Sequence, residues 1–576
     1  MKTRNLFAML SIATPLLLSA QEQLSKEITI EREIVPEVRA ASRLNLYPQT
    51  LTFNNPAKTL TFSDNTTATN IPASIAALNP AATEAATPLT PWRGYVGLGY
   101  FPGRNFSLSA GYGILSTESN RLNVWLQADN TDYKAKDYPN VSDDKQRYKH
   151  LAGRFGIDYS HLFSNNSRLD LNTNIGANKF SPSPLLIFEA EDNNQTTVDW
   201  DIDALWHGNN SNDLSYHIGA GAGIFNFTKG IIDDWLGGTA GTTYHPSVRQ
   251  TGYNINAGIA QAINNESAAG VDFTTDLLHF NHFYNYQIEK SFYEQSTQSY
   301  GSKTLGVVGL TPHYRFANKL LSVKIGALLN YTFNSGKKFH IAPDVTFGIN
   351  PSNGFGAWLN LAGGEHLNTL NSLFAYTPYT SPINAYYTSN IPIKGDLGLR
   401  FGPIKGASLS LQLSYAAANN WLMPYDSGAE FYYIAENLRS WKAGAYLHWA
   451  FRNLLDFDAS FETRLSNDDD KAWFEWRDRA RHVFSTSLSV RPISPLTITA
   501  SYQLRTNRHN VESYSTRYIT CDLKDVSNLS VGAAYRITDA FSVFARGENL
   551  LNTYTLMLDA FPLQGATGLV GVTYKF

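Results

Sequence analysis

From Trp92 to the carboxy-terminal Phe576 the sequence alternates apolar and polar residues in one strand-length run after another. Successive side chains of a β-strand point to opposite faces, so this period of two gives each run one greasy and one wet face. In Leu496-Thr497-Ile498-Thr499-Ala500-Ser501-Tyr502-Gln503-Leu504-Arg505 one face reads Leu, Ile, Ala, Tyr, Leu and the other Thr, Thr, Ser, Gln, Arg. Ala407–Tyr415, Phe484–Arg491 and Leu529–Ile537 divide in the same way. Leu455–Glu462 gathers Asp456, Asp458 and Glu462 on one face. A sandwich core cannot bury those carboxylates without partners, whereas a hydrated lumen accommodates them. At the carboxy-terminus the same rule turns Val570, Val572, Tyr574 and Phe576 toward lipid and Gly571, Thr573 and Lys575 toward the lumen.

Counting such runs gives about 22 strands, good to within two to four. They include strands near 354–364, 394–404 and 519–538. The connections sort by length. Those near 164–167, 317–318, 351–354, 452–453, 494–495 and 538–539 are short and fall at one end. Those near 137–146, 181–195, 230–246, 286–298, 365–393, 469–480 and 554–564 are long and fall at the other. Bacterial outer-membrane barrels have short periplasmic turns and long external loops, and a soluble β protein has no reason to sort them. The composition agrees: 41 Gly, 32 Tyr, 32 Phe and 11 Trp accompany a mean hydropathy of only −0.26. The expected fold is all-β, a transmembrane antiparallel β-barrel of residues 92–576 in contact with outer-membrane lipids.

The amino-terminal side reads differently. Lys2 and Arg4 precede an apolar stretch from Leu6 to Leu18, and Leu18-Ser19-Ala20 stands before Gln21, the pattern of a cleavable signal peptide over 1–20. Residues 21–91 are charged at first and then rich in Ala, Thr, Asn and Pro, which suits a periplasmic arm ordered only against something else. Cys521 is the only cysteine, so no internal disulfide framework is expected. A net charge of −3 leaves no polyanion footprint, and nucleic acid is not an expected partner.

Residues Phe541 to Tyr554, with Asn549-Leu550-Leu551-Asn552 near their end, are followed by Phe561-Pro562-Leu563-Gln564-Gly565 and the terminal strand. This resembles the carboxy-terminal end of a TonB-dependent receptor barrel, where Asn-Leu-Leu-Asn closes the penultimate strand and Pro-x-x-Gly introduces the last. The match is specific over 541–576, and the strand number extends it more loosely across 92–576. The Tyr- and Asn-rich loops and the Tyr-Lys-Phe ending are similar to proteins of the Bacteroidota. The resemblance implies uptake across the outer membrane. It also implies a globular plug ahead of the barrel, and residues 21–91 are shorter than such a domain and carry no plug motif. Glu27, Ile28, Thr29, Ile30 and Glu31 form an alternating segment that would suit β-augmentation by a periplasmic partner, against the plainer reading of an extended tail.

Candidate sites are few. Phe374, Tyr376, Tyr379, Tyr386 and Tyr387 crowd the 365–393 connection, where they would stack on a ligand, fold into the lumen as a lid or simply cover the rim. Asp468, Asp469, Asp470 and Glu475 offer the hard oxygens calcium prefers, but their spacing matches no fixed calcium loop and suits a solvated loop better. Asp456, Asp458, Glu462, Arg464, Arg491 and Arg505 would either line a charged path or pair with one another across the wall. The chain has no Gly-x-Ser-x-Gly elbow, no His-Glu-x-x-His helix and no phosphate-binding glycine loop, so neither an enzyme nor a cofactor is expected. Two functions follow. One is uptake or permeation of a nutrient; the other is a structural or assembly platform for periplasmic or outer-membrane partner proteins. A cylinder of this size left open would breach the permeability barrier, so either function requires something to fill it.

Overall fold

The computed structural model describes residues 92–576 except 102–104, 137–144, 182–186, 189–193, 210–212, 234–242, 286–298, 336, 353, 377–387, 427–430, 466–479, 515–516 and 554–563. In chain order the strands are β1 (Gly94–Phe101), β2 (Asn105–Ser116), β3 (Asn120–Lys136), β4 (Lys145–Leu162), β5 (Arg168–Phe180), β6 (Ile187–Phe188), β7 (Gln195–Asn209), β8 (Leu214–Phe227) and β9 (Ile231–Asp233). Next come β10 (Thr243–His245), β11 (Arg249–Asn264), β12 (Ser267–Asn285), β13 (Ser299–Ala317), β14 (Leu321–Phe333), β15 (Phe339–Ser352), β16 (Phe355–Leu367), β17 (Thr388–Ile404) and β18 (Ala407–Asp426). The last are β19 (Phe431–Phe451), β20 (Leu455–Arg464), β21 (His482–Ile493), β22 (Leu496–Thr506), β23 (Arg508–Tyr514), β24 (Arg517–Leu523), β25 (Val526–Arg536), β26 (Phe541–Glu548) and β27 (Thr567–Lys575). A single helix, α1 (Leu370–Tyr376), appears among the described residues.

One sheet holds 24 of these strands; β23 and β24 continue the β22–β25 hairpin past its rim, and the other 22 close an antiparallel barrel. Closure is direct. β1 pairs with β27, setting Leu98 opposite Val572, and the N–H groups of Arg93 and Gly94 donate to the Phe576 carbonyl at 2.8 and 2.9 Å. A closed ladder leaves no unpaired edge in the bilayer, where an unsatisfied peptide group is costly. The small β6, β9 and β10 sheet stands apart from the wall.

The outer face is apolar, as the alternation requires. Val570, Val572, Tyr574 and Phe576 are all exposed on it, beside Val96, Leu98 and Tyr100 of β1. Similar rows, such as Tyr253, Ile255 and Ile259 of β11, continue around the barrel. So large an exposed apolar surface is stable only against hydrocarbon, and the protein is an outer-membrane barrel. No described helix is long and apolar enough to cross a membrane; the strands do so instead.

The connections 117–119, 163–167, 210–213, 265–266, 318–320, 353–354, 405–406, 452–454, 494–495 and 537–540 lie at the short-turn end. The long ones, 137–144, 181–194, 228–248, 286–298, 368–387, 465–481, 507–525 and 549–566, lie at the opposite end, together with the shorter 102–104, 334–338 and 427–430. Two stretches differ from the sequence reading. The expected 365–393 connection is shorter, because β16 runs to Leu367 and β17 begins at Thr388. Gly363-Gly364 and Pro392 look like strand breakers, yet the ladder absorbs them as irregularities between Ala362 and Gly364 and between Asn390 and Ile393. The expected strand at 519–538 is split into β24 and β25, which are separated by Lys524 and Asp525.

Candidate functional site

The lumen is lined by the polar side chains of alternate residues. Much of its charge is paired along the wall: Arg491 with Asp456 at 3.1 Å, His448 with Asp458 at 2.8 Å, and Lys442 with Glu462 at 2.9 Å. The acidic face of β20 is thus held by an arginine, a histidine and a lysine. Arg154 and Asp199 pair at 2.5 Å, and His313 and Asp272 at 3.2 Å.

On β7, β8, β11 and β12 the lining opens into a chamber of roughly 1840 Å³. Asp201 and Asp203 of β7, Asn254 and Asn256 of β11, and Asp272 and Asp276 of β12 line one side; Lys394 and Arg400 of β17 also border it. Between the β7 and β11 rows, β8 presents Gly221 and Gly223, which face Asp203 and Asp201 across the ladder. A Cβ at Gly221 would collide with the Asp203 carboxylate, and one at Gly223 with that of Asp201. The glycines therefore let two carboxylates lie across the wall without filling the chamber. Among the described residues Asp201, Asp203 and Asp276 form no ion pair, so this side gathers carboxylates while the cationic Lys394 and Arg400 stand on β17.

The helix α1 borders the same chamber. Seven residues are too few for a stable isolated helix in water, and α1 has no acidic residue in its first turn and no basic residue in its last. Its stability comes from capping and packing. Thr369 Oγ1 accepts the Ser372 N–H at 3.0 Å, and Gln250 Oε1, from β11, accepts the Leu370 N–H at 2.6 Å. Leu370, Leu373 and Phe374, at i, i+3 and i+4, make one apolar face and are buried. They join a cluster with Phe180 of β5, Phe225 and Phe227 of β8, Leu278 and Phe280 of β12, and Leu305 of β13. The Phe374 ring lies 5.6 Å from that of Phe180, 5.5 Å from Phe225 and 6.3 Å from Phe227, between centroids. From β19 the Tyr433 hydroxyl donates to the Leu373 carbonyl at 2.8 Å. Asn371 and Ser372 line the chamber.

Of the aromatic residues expected to serve this connection, Phe374 is thus packed inside the barrel, and Tyr376 ends α1. Tyr379, Tyr386 and Tyr387 lie outside the described residues, as do Asp468, Asp469, Asp470, Glu475, the segment Glu27–Glu31 and the whole of 1–91. Among the described residues no three His, Cys, Asp or Glu side chains gather as a metal site. Gln250 was not singled out from sequence, because one Gln in an alternating strand carries no signal. Thr369 with Leu370, Leu373 and Phe374 did carry one, a cap before an apolar i, i+3, i+4 face.

The Asn-Leu-Leu-Asn segment has a structural task. Asn549 and Asn552 both adopt left-handed backbone, with φ of 47° and 49°. Asn549 Nδ2 donates to the carbonyls of Thr553 at 3.3 Å and Gln564 at 3.0 Å, and Asn552 Oδ1 accepts the Ala566 N–H at 3.0 Å. The pair ties the two ends of the last long connection together.

No family model matches the chain, and no curated protein does. Solved structures do. The pyoverdine outer-membrane receptor FpvA of Pseudomonas aeruginosa superposes with a TM-score of 0.62 at 11% identity, over 84% of this chain and 78% of that one. The siderophore receptor PirA of Acinetobacter baumannii gives 0.61 at 10% identity, over 84% and 80%. The copper transporter OprC gives 0.58 at 11%, over 84% and 80%. At such identities the likeness is one of fold. The chain has the barrel fold of TonB-dependent receptors.

Proposed function

We propose that this barrel admits a nutrient across the outer membrane, as a polar solute passing through the lumen. The observation that carries the reading is the chamber of roughly 1840 Å³ bounded by Asp201, Asp203, Asn254, Asn256, Asp272 and Asp276. A barrel that served only as a scaffold would have no need for such a space, and burying polar groups beside it without full pairing costs stability. Glycines at 221 and 223 keep the space clear. The shared fold adds support, since the superposed proteins are two siderophore receptors and a copper transporter. The alternating sequence Glu27–Glu31 would suit pairing with a periplasmic partner in this scheme.

Purified full-length protein in liposomes provides the test. Swelling in sugars, amino acids and small amines of graded size should reveal entry of some of them above protein-free vesicles. Exclusion of every solute, together with co-purification of other outer-membrane proteins in stoichiometric amounts, would replace the permeation reading with that of an assembly platform.

A further inference from the structure

The lumen-facing row of β8 is Gly219, Gly221 and Gly223, and then it becomes Phe225 and Phe227. On β12 the row Asp272, Thr274 and Asp276 gives way to Leu278 and Phe280. The switch falls at corresponding levels, since Gly223 lies opposite Gly252, which lies opposite Leu278. Phe180 and Leu305 extend the apolar surface on β5 and β13. Lipid cannot account for it, because these side chains point inward. What covers them is α1: Leu370 is fully buried and the Phe374 ring packs, tilted or edge-on, against three of the phenylalanines. The helix is amphipathic across the lumen, with its apolar face on the wall and Asn371 and Ser372 on the chamber.

We propose that α1 is a gate: an inward-folded helix that closes the chamber toward the long-loop end and must leave the apolar wall for a solute to pass. The proposal rests on the permeation reading. Its attachments suit reversal. Among the described residues they include side-chain packing, the Gln250 cap and the Tyr433 hydrogen bond, all of them non-covalent. A short helix that depends on docking for its existence unwinds when it undocks, so release clears the lumen rather than moving a rigid obstacle.

The experiment records single channels from the full-length protein in planar bilayers, with the unheated and heated electrophoretic forms reporting that each variant has folded. Wild type should dwell mainly in the closed state, with brief openings that account for solute entry into liposomes. Phe374→Ala should raise the open-to-closed ratio by about two orders of magnitude, the population shift expected from losing a buried phenylalanine ring. Leu370→Asn, which acts on the same face, should raise it too and serves if Phe374→Ala fails to fold. In a Cys521→Ser background, Phe225→Cys/Phe374→Cys should behave as a released variant until a short bifunctional thiol reagent bridges the pair, and then fall silent. Wild type and variants conducting alike would overturn the gate and leave permeation standing. Silence in all of them would overturn both. Undiminished conduction after bridging would overturn the gate alone.

Discussion

The backbone N–H of Leu370 meets Oε1 of Gln250 at 2.6 Å, joining a seven-residue helix to a barrel strand 120 positions away in sequence. The contact is buried. It satisfies one of the orphan donors of a helix start with an acceptor the helix does not itself supply, so the wall and the helix specify one another.

Gln250→Leu removes that acceptor while keeping bulk, leaving the Leu370 N–H buried and unsatisfied at a cost of about 1–3 kcal/mol. Amide exchange at Leu370 to Leu373 should accelerate accordingly, with the barrel's resistance to heat in detergent unchanged. Exchange at the wild-type rate would show that the cap contributes nothing to docking.

Asp201→Asn with Asp203→Asn removes two of the chamber's carboxylates, neither of them held in an ion pair among the described residues. In a potassium chloride gradient across the Phe374→Ala channel, cation preference should fall roughly two- to threefold, with the reversal potential moving toward zero. An unmoved potential would place the selective field elsewhere in the lumen.

Gly221→Val drives a side chain into the Asp203 carboxylate and Asn254. Overpacking of this kind costs about 1–3 kcal/mol, and the folded form should melt at a lower temperature than wild type. Gly301→Ala is the comparison, because a Cβ there has nothing within 4 Å and should be silent. Equal melting of the two would mean the Asp203 side chain swings aside freely.

Val572→Arg sets a guanidinium on the lipid face of the closing strand, four residues from its rim end at Phe576, and costs on the order of 1 kcal/mol against folding at that depth. Urea titration of protein refolded into lipid vesicles should show the loss, with Val572→Leu close to wild type. No difference between them would argue that Val572 does not face hydrocarbon.

How much of this was legible follows from the physics of each element. The wall strands were readable because lipid outside and water inside impose opposite demands on neighbouring residues, as at Val570 to Phe576. The strand expected at 354–364 ends at a glycine pair, and because glycine marks bulges as well as ends, only the ladder partner shows that the strand continues to Leu367. The β24–β25 break at Lys524-Asp525 went unnoticed because two polar residues barely disturb a period of two. For the chamber, the sequence held the rows but not the neighbours: that Asp203, Gly221 and Asn254 lie side by side depends on the register between consecutive wall strands, which alternation alone leaves open. Phe374 was singled out as a loop aromatic, while its partners Phe225 and Phe280 looked like ordinary strand residues.

Among the ladders of the barrel, that between β1 and β27 differs in one respect: no turn links its two strands at either end, so its six registered pairs, from Tyr95–Lys575 to Tyr100–Val570, hold without a connecting chain. Every other junction is backed by a covalent hairpin. A force applied at Phe576 would therefore peel β27 away first, and the cylinder would unravel from that seam one hairpin at a time, like a zip with a single open end. The protein's mechanical strength is set by the junction that the chain does not itself connect.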